Sequence, residues 1–316
     1  MPIKRYIAKE SSMNNRVIKI LKKPSLLFMT LGHREFFNWM DDKKYLQIAY
    51  RIAMGKKLDL ENPKKYTEKL QWLKLYDRKD EYTNMVDKYE AKEYVSRKLG
   101  EQYIIPTIGV WEKFDDINFD ELPNQFVLKC THDSGGLIVV KDKSSFNKEA
   151  ARKKINKCLK HSFYWGEREW PYKNVKPRII AEKYMEDGFG ELRDYKFFTF
   201  NGKVRAMFIA TERTNEKEET KFDFFDENFK HLPFINGHPN SEYKIKKPDC
   251  FDEMKALAEE LSKDIPQVRV DFYEVDGSIY FGELTFFHWS GLMPFEPEEW
   301  DYTFGDWFEL PQKKVN

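Results

Sequence analysis

Apolar and polar positions follow two different periods along this chain, and the change falls near residue 100. Before it, hydrophobic residues recur at helical spacing. In the stretch Tyr66–Tyr76, Leu70, Leu73 and Trp72 gather with Tyr76 on one side. Pro63 lies just ahead and suits a helix start. A second helix is expected over residues 85–99, ended by Gly100 as C-cap. Residues 1–100 thus read as mostly helical.

After Gly100 the runs become short and β-branched. Residues 104–111 are one apolar run. Phe126–Cys130 and Leu137–Val140 read as strands of a hairpin whose tip is the polar, glycine-bearing stretch 131–136. A basic helix is expected over 147–160, then a buried strand over 178–185 with an acidic exit. Residues 195–200 and 204–210 flank Asn201-Gly202, and 268–274 and 279–285 flank Asp276-Gly277, so both pairs are expected hairpins. A helix over 251–263 lies between them. The expected class is α+β: helices first, then antiparallel sheets.

Composition narrows the options. Lys+Arg is 54 and Asp+Glu 53 in 316 residues, a net charge of +1, which removes the electrostatic case for a nucleic-acid binder. Aromatic residues make up 16%, too many for a disordered chain. No apolar run approaches the ~18–20 residues of a membrane span. Three scattered cysteines (Cys130, Cys158, Cys250) form neither a disulfide framework nor a four-cysteine zinc site, and fit a cytoplasmic protein. The stretch 1–23 carries Lys4, Arg5, Lys9, Arg16, Lys19, Lys22 and Lys23 but no secretory pattern. It reads as a solvated arm or helix, with peripheral contact to an acidic lipid surface as the alternative.

Several charged residues sit where charge needs a reason. Asp271 and Glu283 lie among apolar strand residues of the last hairpin. With a three-residue turn at Gly277 they face each other about 5 Å apart, a geometry that calls for a cation such as Mg²⁺. With a two-residue turn they fall on opposite faces, so turn length decides. Lys129 ends an apolar strand just before His132-Asp133-Ser134-Gly135-Gly136, whose small residues let backbone N–H groups approach an anion. Lys88 and Lys92 are four apart on one expected helical face, next to Asp87. Glu182 closes an apolar strand before Lys183-Tyr184-Met185. Taken singly, each has an ordinary reading: a solvated acid, a snorkelling lysine, a local ion pair, a strand end.

Their order along the chain resembles the ATP-grasp superfamily, and more closely the TupA-like ATP-grasp family of surface-polysaccharide gene clusters. The resemblance runs over residues 63–291. It is carried by Glu68-Lys69-Leu70-Gln71-Trp72-Leu73-Lys74, Asp87-Lys88, Asp194-Tyr195-Lys196-Phe197, Asn201-Gly202-Lys203, Arg269-Val270-Asp271 and Gly282-Glu283-Leu284-Thr285-Phe286. It implies a helical region over 1–84 and an ATP-grasp region over 85–316. The latter would comprise a lid-like subdomain (about 104–184) and a metal-binding subdomain (185–316) that clamp ATP between them. It also implies that Lys88 and Lys129 contact the phosphates and that His132, Ser134, Gly135 and Gly136 belong to a loop closing over them. Glu182, Lys183, Tyr184 and Met185 would form the adenine-side hinge, with Asp194 and Lys196 near ribose and phosphates. Asp271, Glu283 and Thr285 would hold Mg²⁺, and Arg269, with Lys129 and Lys196, would act on the transferred phosphoryl group. Many superfamily members end this motif with Glu-x-Asn, whereas Thr285 stands here. The following stretch 286–291 is unusually aromatic, which argues against a small amino acid as the general substrate.

The reaction the resemblance implies is carboxylate activation: an acylphosphate forms from ATP, and an amine displaces phosphate to give an amide. The expected substrates are an amine and a carboxylate, namely a uronic acid or similar group on a small-molecule, nucleotide-linked or lipid-linked sugar. His132 and His288 are the candidate general bases, and Arg178, Arg193 and Arg213 the candidates for holding an acidic substrate. Two other readings compete. A glycosyltransferase would need an Asp-x-Asp motif on a strand end, which the sequence lacks. A sugar-binding module could stack sugars on Trp165, Trp170, Trp289, Trp300 or Trp307, but leaves the lysines and acids unexplained.

Overall fold

A computed structural model describes residues 24–133, 135–187, 192–212 and 219–313. The basic stretch 1–23, Ser134 and Arg213 lie outside the described residues. Among the described residues five helices come first: α1 (Pro24–His33), α2 (Asp42–Met54), α3 (Tyr66–Tyr76), α4 (Glu81–Val86) and α5 (Glu90–Leu99). Among the described residues no helix is long and apolar enough to cross a membrane.

The single helix expected over 85–99 is corrected to two, α4 and α5. Asp87 breaks it: its backbone is extended (φ −68°, ψ 121°), and its Oδ1 accepts the N–H groups of Tyr89 (2.8 Å) and Glu90 (3.3 Å). Lys88 therefore sits in the break and not four residues along one face from Lys92. Gly100 does end α5, with φ +108°.

Two antiparallel sheets follow. The first has strand order β1-β4-β2-β3, from β1 (Thr107–Trp111), β2 (Phe126–Cys130), β3 (Leu137–Val140) and β4 (Ile179–Lys183). Phe126, Leu128 and Cys130 of β2 and Ile179 and Ala181 of β4 point to one face. There they meet Ala151 and Ile155 of α6 (Lys148–Leu159), making a small core of their own, and the short α7 (Tyr164–Glu167) follows. The period of two then places Val127, Lys129, Leu137, Val139, Ile180 and Glu182 on the other face.

The second sheet has order β10-β9-β5-β6-β7-β8: β5 (Asp194–Phe200), β6 (Lys203–Thr211), β7 (Lys221–Asp226), β8 (His231–Leu232), β9 (Gln267–Val275) and β10 (Ser278–Thr285). Helix α8 (Phe251–Leu261) covers one face, where Phe251 meets Phe197. Helices α3 and α9 (Glu299–Asp306) cover the other: Tyr66 and Phe304 pack edge-on to Phe198. Asp301 of α9 accepts both the backbone N–H (2.9 Å) and the hydroxyl (2.7 Å) of Thr67. The described N-terminal helices thus share one continuous core with the six-stranded sheet.

The last hairpin follows neither expected geometry. Its turn has two residues, Asp276 and Gly277, both with positive φ (52° and 76°), as a type I′ turn requires. Alone this would send Asp271 and Glu283 to opposite faces. A bulge at Gly282 adds one residue to β10 and restores the pairing Glu283↔Asp271 and Thr285↔Arg269. A Cβ on Gly282 would lie 3.0 Å from the Asp271 carbonyl oxygen, so the close approach favours glycine.

Candidate functional site

The two sheets bring their unusual charges to one place, and Glu283 marks it. Burial alone raises its carboxyl, but four cations outweigh that and bring it down to about 2: Lys88 from the α4–α5 break, Lys196 from β5, Arg269 from β9 and Lys129 from β2. These residues are up to 195 positions apart in sequence (283 − 88), and the topology alone joins them.

On the six-stranded side, Arg269 is the hub. It donates from Nε to Asp271 Oδ1 and from Nη2 to Asp271 Oδ2 (both 2.7 Å), and from Nη2 to Thr285 Oγ1 (2.9 Å). Glu283 Oε1 is 3.5 Å from the same nitrogen. Lys196 donates to Asp271 Oδ2 and lies 3.4 Å from Asp194 Oδ2. Burial pushes the Asp271 carboxyl upward against the pull of Arg269 and Lys196. The cluster persists in the interior because every charge in it has an opposite partner.

On the four-stranded side, Glu182 is 4% exposed and does more than close a strand. Its Oε1 meets Lys92 Nζ and its Oε2 meets Lys129 Nζ, each at 2.5 Å. Burial raises this carboxyl, but Lys129 and Lys92 together bring it below the usual range. Lys92 is further held by the Ile105 carbonyl at 2.7 Å. It therefore anchors Glu182, which in turn holds the Lys129 ammonium. Beside Lys129, Leu137 and Val139 are exposed, forming an apolar strip on the same face of the sheet. Lys183 donates its backbone N–H to the Pro106 carbonyl, and the Tyr184 hydroxyl donates to Glu186 at 2.6 Å. Met185 is half-buried just after the end of β4.

The loop 131–136 is anchored at both ends. Lys88 Nζ donates to the Asp133 carbonyl (3.0 Å), Gly135 N–H donates to Asp133 Oδ1 (2.8 Å), and Cys130 N–H donates to the Gly136 carbonyl (3.0 Å). A Cβ on Gly136 would lie 2.5 Å from Cys130 Sγ. His132 requires a correction. Its Nε2 lies 3.2 Å from the carbonyl oxygens of Cys158 and His161, so that nitrogen carries the proton and ties the ring to the end of α6. Burial lowers its pKa.

His288 is also corrected as a base. It is 4% exposed, and its Nδ1 lies 2.8 Å from Arg269 Nη1. Burial first, then the nearby Arg269 and Lys196, hold its pKa well below the ordinary value. Arg178 is committed to Asp87 (2.8 Å) and Glu90 (2.7 Å), and the backbone N–H of Arg193 to Asp187. The five candidate tryptophans are packed too: Trp165 against Arg168, Trp170 against Arg78, Trp289 stacked on Phe222, Trp300 on Phe234, and Trp307 against Phe304.

Sequence reasoning missed the supports. Residues Trp289, Ser290 and Gly291 all take positive φ (49°, 56° and 60°), a costly conformation for the first two. Gln71 Nε2 donates to the Ser290 (2.9 Å) and Gly291 (3.0 Å) carbonyls, and buried Lys74 donates to the Ser290 carbonyl (2.8 Å) and hydroxyl (2.6 Å). Burial lowers the Lys74 pKa to about 8 and raises that of its neighbour Glu169 to about 8. The only hint of this was a glutamine and a lysine in an otherwise core-packed helix.

The donor set suits a hard cation. Asp271, Glu283 and the Thr285 hydroxyl supply oxygen only, and Glu283 faces Asp271 across the bulged ladder. Among the described residues no three His, Cys, Asp or Glu side chains form a metal cluster. Arg269 Nη2 lies among these three oxygens, 2.7 Å from Asp271, 2.9 Å from Thr285 and 3.5 Å from Glu283, so a cation such as Mg²⁺, which takes one or two carboxylates with water and phosphate oxygens, would have to share Asp271 with the guanidinium.

The TupA-like ATPgrasp family model matches residues 68–309. The chain belongs to that family. No curated protein sequence matches it. Solved structures similar to it include a D-alanine–D-alanine ligase from Bacillus anthracis complexed with ATP (17% identity, 64% of this chain and 53% of that one, TM-score 0.37). Two others are a D-alanine–D-alanine ligase from Helicobacter pylori (15%, 71% and 61%, 0.39) and a biotin carboxylase complex from Campylobacter jejuni (14%, 85% and 53%, 0.40). The chain spans little more than half the length of these structures.

Proposed function

We propose that this chain is an ATP-dependent carboxylate–amine ligase, and that ATP lies between the two sheets. The observation that carries the reading is that cations from both sheets act on one half-exposed carboxylate, Glu283: Arg269 Nη2 lies 3.5 Å from it, and Lys88, Lys129 and Lys196 pull its pKa down from farther off while held by the Asp133 carbonyl, Glu182 and Asp271. These four cations come from separate elements of the chain. They match a triphosphate whose charge must be neutralised and aligned.

Lys88 and Lys129 would bind phosphate oxygens, and the loop they flank would cover them. Leu137 and Val139 would lie against the purine, with Tyr184 and Met185 at its hinge edge. Lys196, kept near Asp194, would serve the ribose or phosphate side. Asp271, Glu283 and Thr285 would hold Mg²⁺, which when bound supplies further neutralising charge between the phosphates. Arg269 would steady the γ-phosphoryl group as a substrate carboxylate oxygen attacks phosphorus and ADP leaves. A free amine would then attack the acyl carbon, releasing phosphate and losing a proton. Exclusion of water by the lid protects the acylphosphate in between.

The substrate class rests on the family alone: a uronic acid or similar carboxylate of a capsular or cell-surface polysaccharide precursor, processed in the cytoplasm where ATP is available. The test is ADP release from Mg-ATP by the purified protein. It would be offered uronic acids and nucleotide-linked uronates, each with pooled amino acids and amino alcohols. Release that requires both a carboxylate and an amine, and vanishes in Glu283→Ala, supports the ligase. ATP binding without such release leaves the site and rejects the panel; no binding at all rejects the reading.

A further inference from the structure

Arg269 has a further neighbour that the ligase reading does not use. Besides Asp271, Glu283 and Thr285 it contacts His288, which follows β10 at the start of the positive-φ turn. An arginine N–H can only donate, so His288 Nδ1 accepts and the ring proton must be on Nε2. That Nε2 lies 3.0 Å from Asn236 Oδ1. The Asn236 amide is itself oriented: its Nδ2 donates to the carbonyls of Met293 (3.3 Å) and Pro294 (3.0 Å). The direction of every hydrogen bond from Pro294 to Arg269 is thereby determined. Asn236 is 1% exposed, and Phe198 and Phe208 pack on the His288 ring. The Trp289 indole N–H donates to the Asn236 carbonyl (3.3 Å), and a Cβ on neighbouring Gly237 would strike that indole at 2.6 Å. The 235–238 loop and the 288–291 turn are therefore fitted to each other around this chain of bonds.

The chain matters because Asp271 is shared. Its two oxygens serve Arg269 and Lys196 together, so any ligand that draws on its charge loosens its hold on the guanidinium. The His288 contact is uncharged and lies on the opposite edge of Arg269, so it does not compete for the same ligand. We propose that His288 and Asn236 are positioning residues for Arg269: Asn236 fixes the ring tautomer, and the ring fixes the guanidinium against the transferred phosphoryl group. This rests on the ligase reading for the role of Arg269, but not for the bonds themselves.

The test has two arms. In the first, calorimetry compares binding of Mg-ADP alone with Mg-ADP plus aluminium fluoride, a mimic of the transferring phosphoryl group. His288→Leu should weaken the fluoride complex by about tenfold or more, with Mg-ADP changed less than twofold. His288→Asn, whose amide oxygen falls near the lost Nδ1, should restore most of the difference. Equal weakening of both ligands without rescue by asparagine, or no change in either, overturns the proposal. In the second arm, nitrogen NMR reads the His288 ring directly. The wild type should show the proton on Nε2. Asn236→Asp, which offers a carboxylate to the same nitrogen, should draw a second proton onto Nδ1 and weaken the fluoride complex. A proton on Nδ1 in the wild type would end the argument. If the wild type binds neither nucleotide form, the ATP reading fails, and the ring proton alone decides whether the relay exists.

Discussion

The four-stranded sheet rests on one helix and a small core of its own, and leaves Leu137 and Val139 bare on its other face. The six-stranded sheet is covered on both faces, by α8 below and by α3 and α9 above, in a core that reaches back to residue 29. The two walls hold their charges differently. On the lighter wall, one acid serves two lysines: Glu182 holds Lys92 and Lys129. On the heavier wall, Asp271 is wrapped by Arg269 and Lys196, and Arg269 is braced again by His288. The difference suits a clamp, in which a wall with little buried area can shift and the opposite wall keeps the reacting groups in register.

The largest expected effect falls on the heavy wall. Glu283→Ala removes the carboxylate on which cations from both sheets act. We expect ligand-dependent ADP release to fall by about 10²–10³-fold, measured at saturating ATP so that weak binding is not mistaken for lost turnover. The next falls on the light wall. Glu182→Ala removes the buried partner of two partly exposed lysines and should cost about 1–3 kcal/mol, read by urea unfolding. Adding Lys129→Met should recover part of the loss. If the lid is the separate unit its core suggests, this unfolding will precede that of the rest of the chain.

A third prediction tests the unity of the larger core. Burial raises the Asp301 carboxyl to about 6, despite its bonds to Thr67. The fold therefore favours the protonated form. Its contribution is greatest below the ordinary value of 3.8 and falls as pH rises toward 6. Relative to Asp301→Asn, the wild type should lose about 2–3 kcal/mol of stability across that window, as read by denaturant melts at pH 4, 5, 6 and 7. A flat difference would place Asp301 outside the buried core. The smallest effect is expected at the bulge. Gly282→Ala must push back the Asp271 carbonyl or the Tyr273 ring, for about 1 kcal/mol in a thermal melt. Its effect on ATP affinity should exceed its effect on stability, because the bulge sets where Glu283 points.

Much of this was legible. Alternation with Asn201-Gly202 and Asp276-Gly277 located two hairpins, and the strand lysine, glycine loop and acid pair came in the family's order. What escaped has physical reasons. The bulge at Gly282 is a one-residue change of register, visible only once the strands are paired. The break between α4 and α5 turns on a capping carboxylate whose sequence neighbours look helical. Strands β7 and β8 follow no clean alternation, with Phe222, Phe224 and Phe225 all buried. Asn236 carries no local signal, since its partners are 52 to 58 residues away. His132 and His288 looked like bases because sequence shows a titratable ring but not what its nitrogens touch.

The central claim is that one ligand bridges two unlike walls, and hydrogen exchange with and without Mg²⁺ and a non-hydrolysable ATP analogue tests it most directly. The account predicts slowed exchange in two places together: the light wall around 129–136 and 180–185, and the heavy wall around β9 and β10. Slowing on one wall only, or on neither, would contradict it.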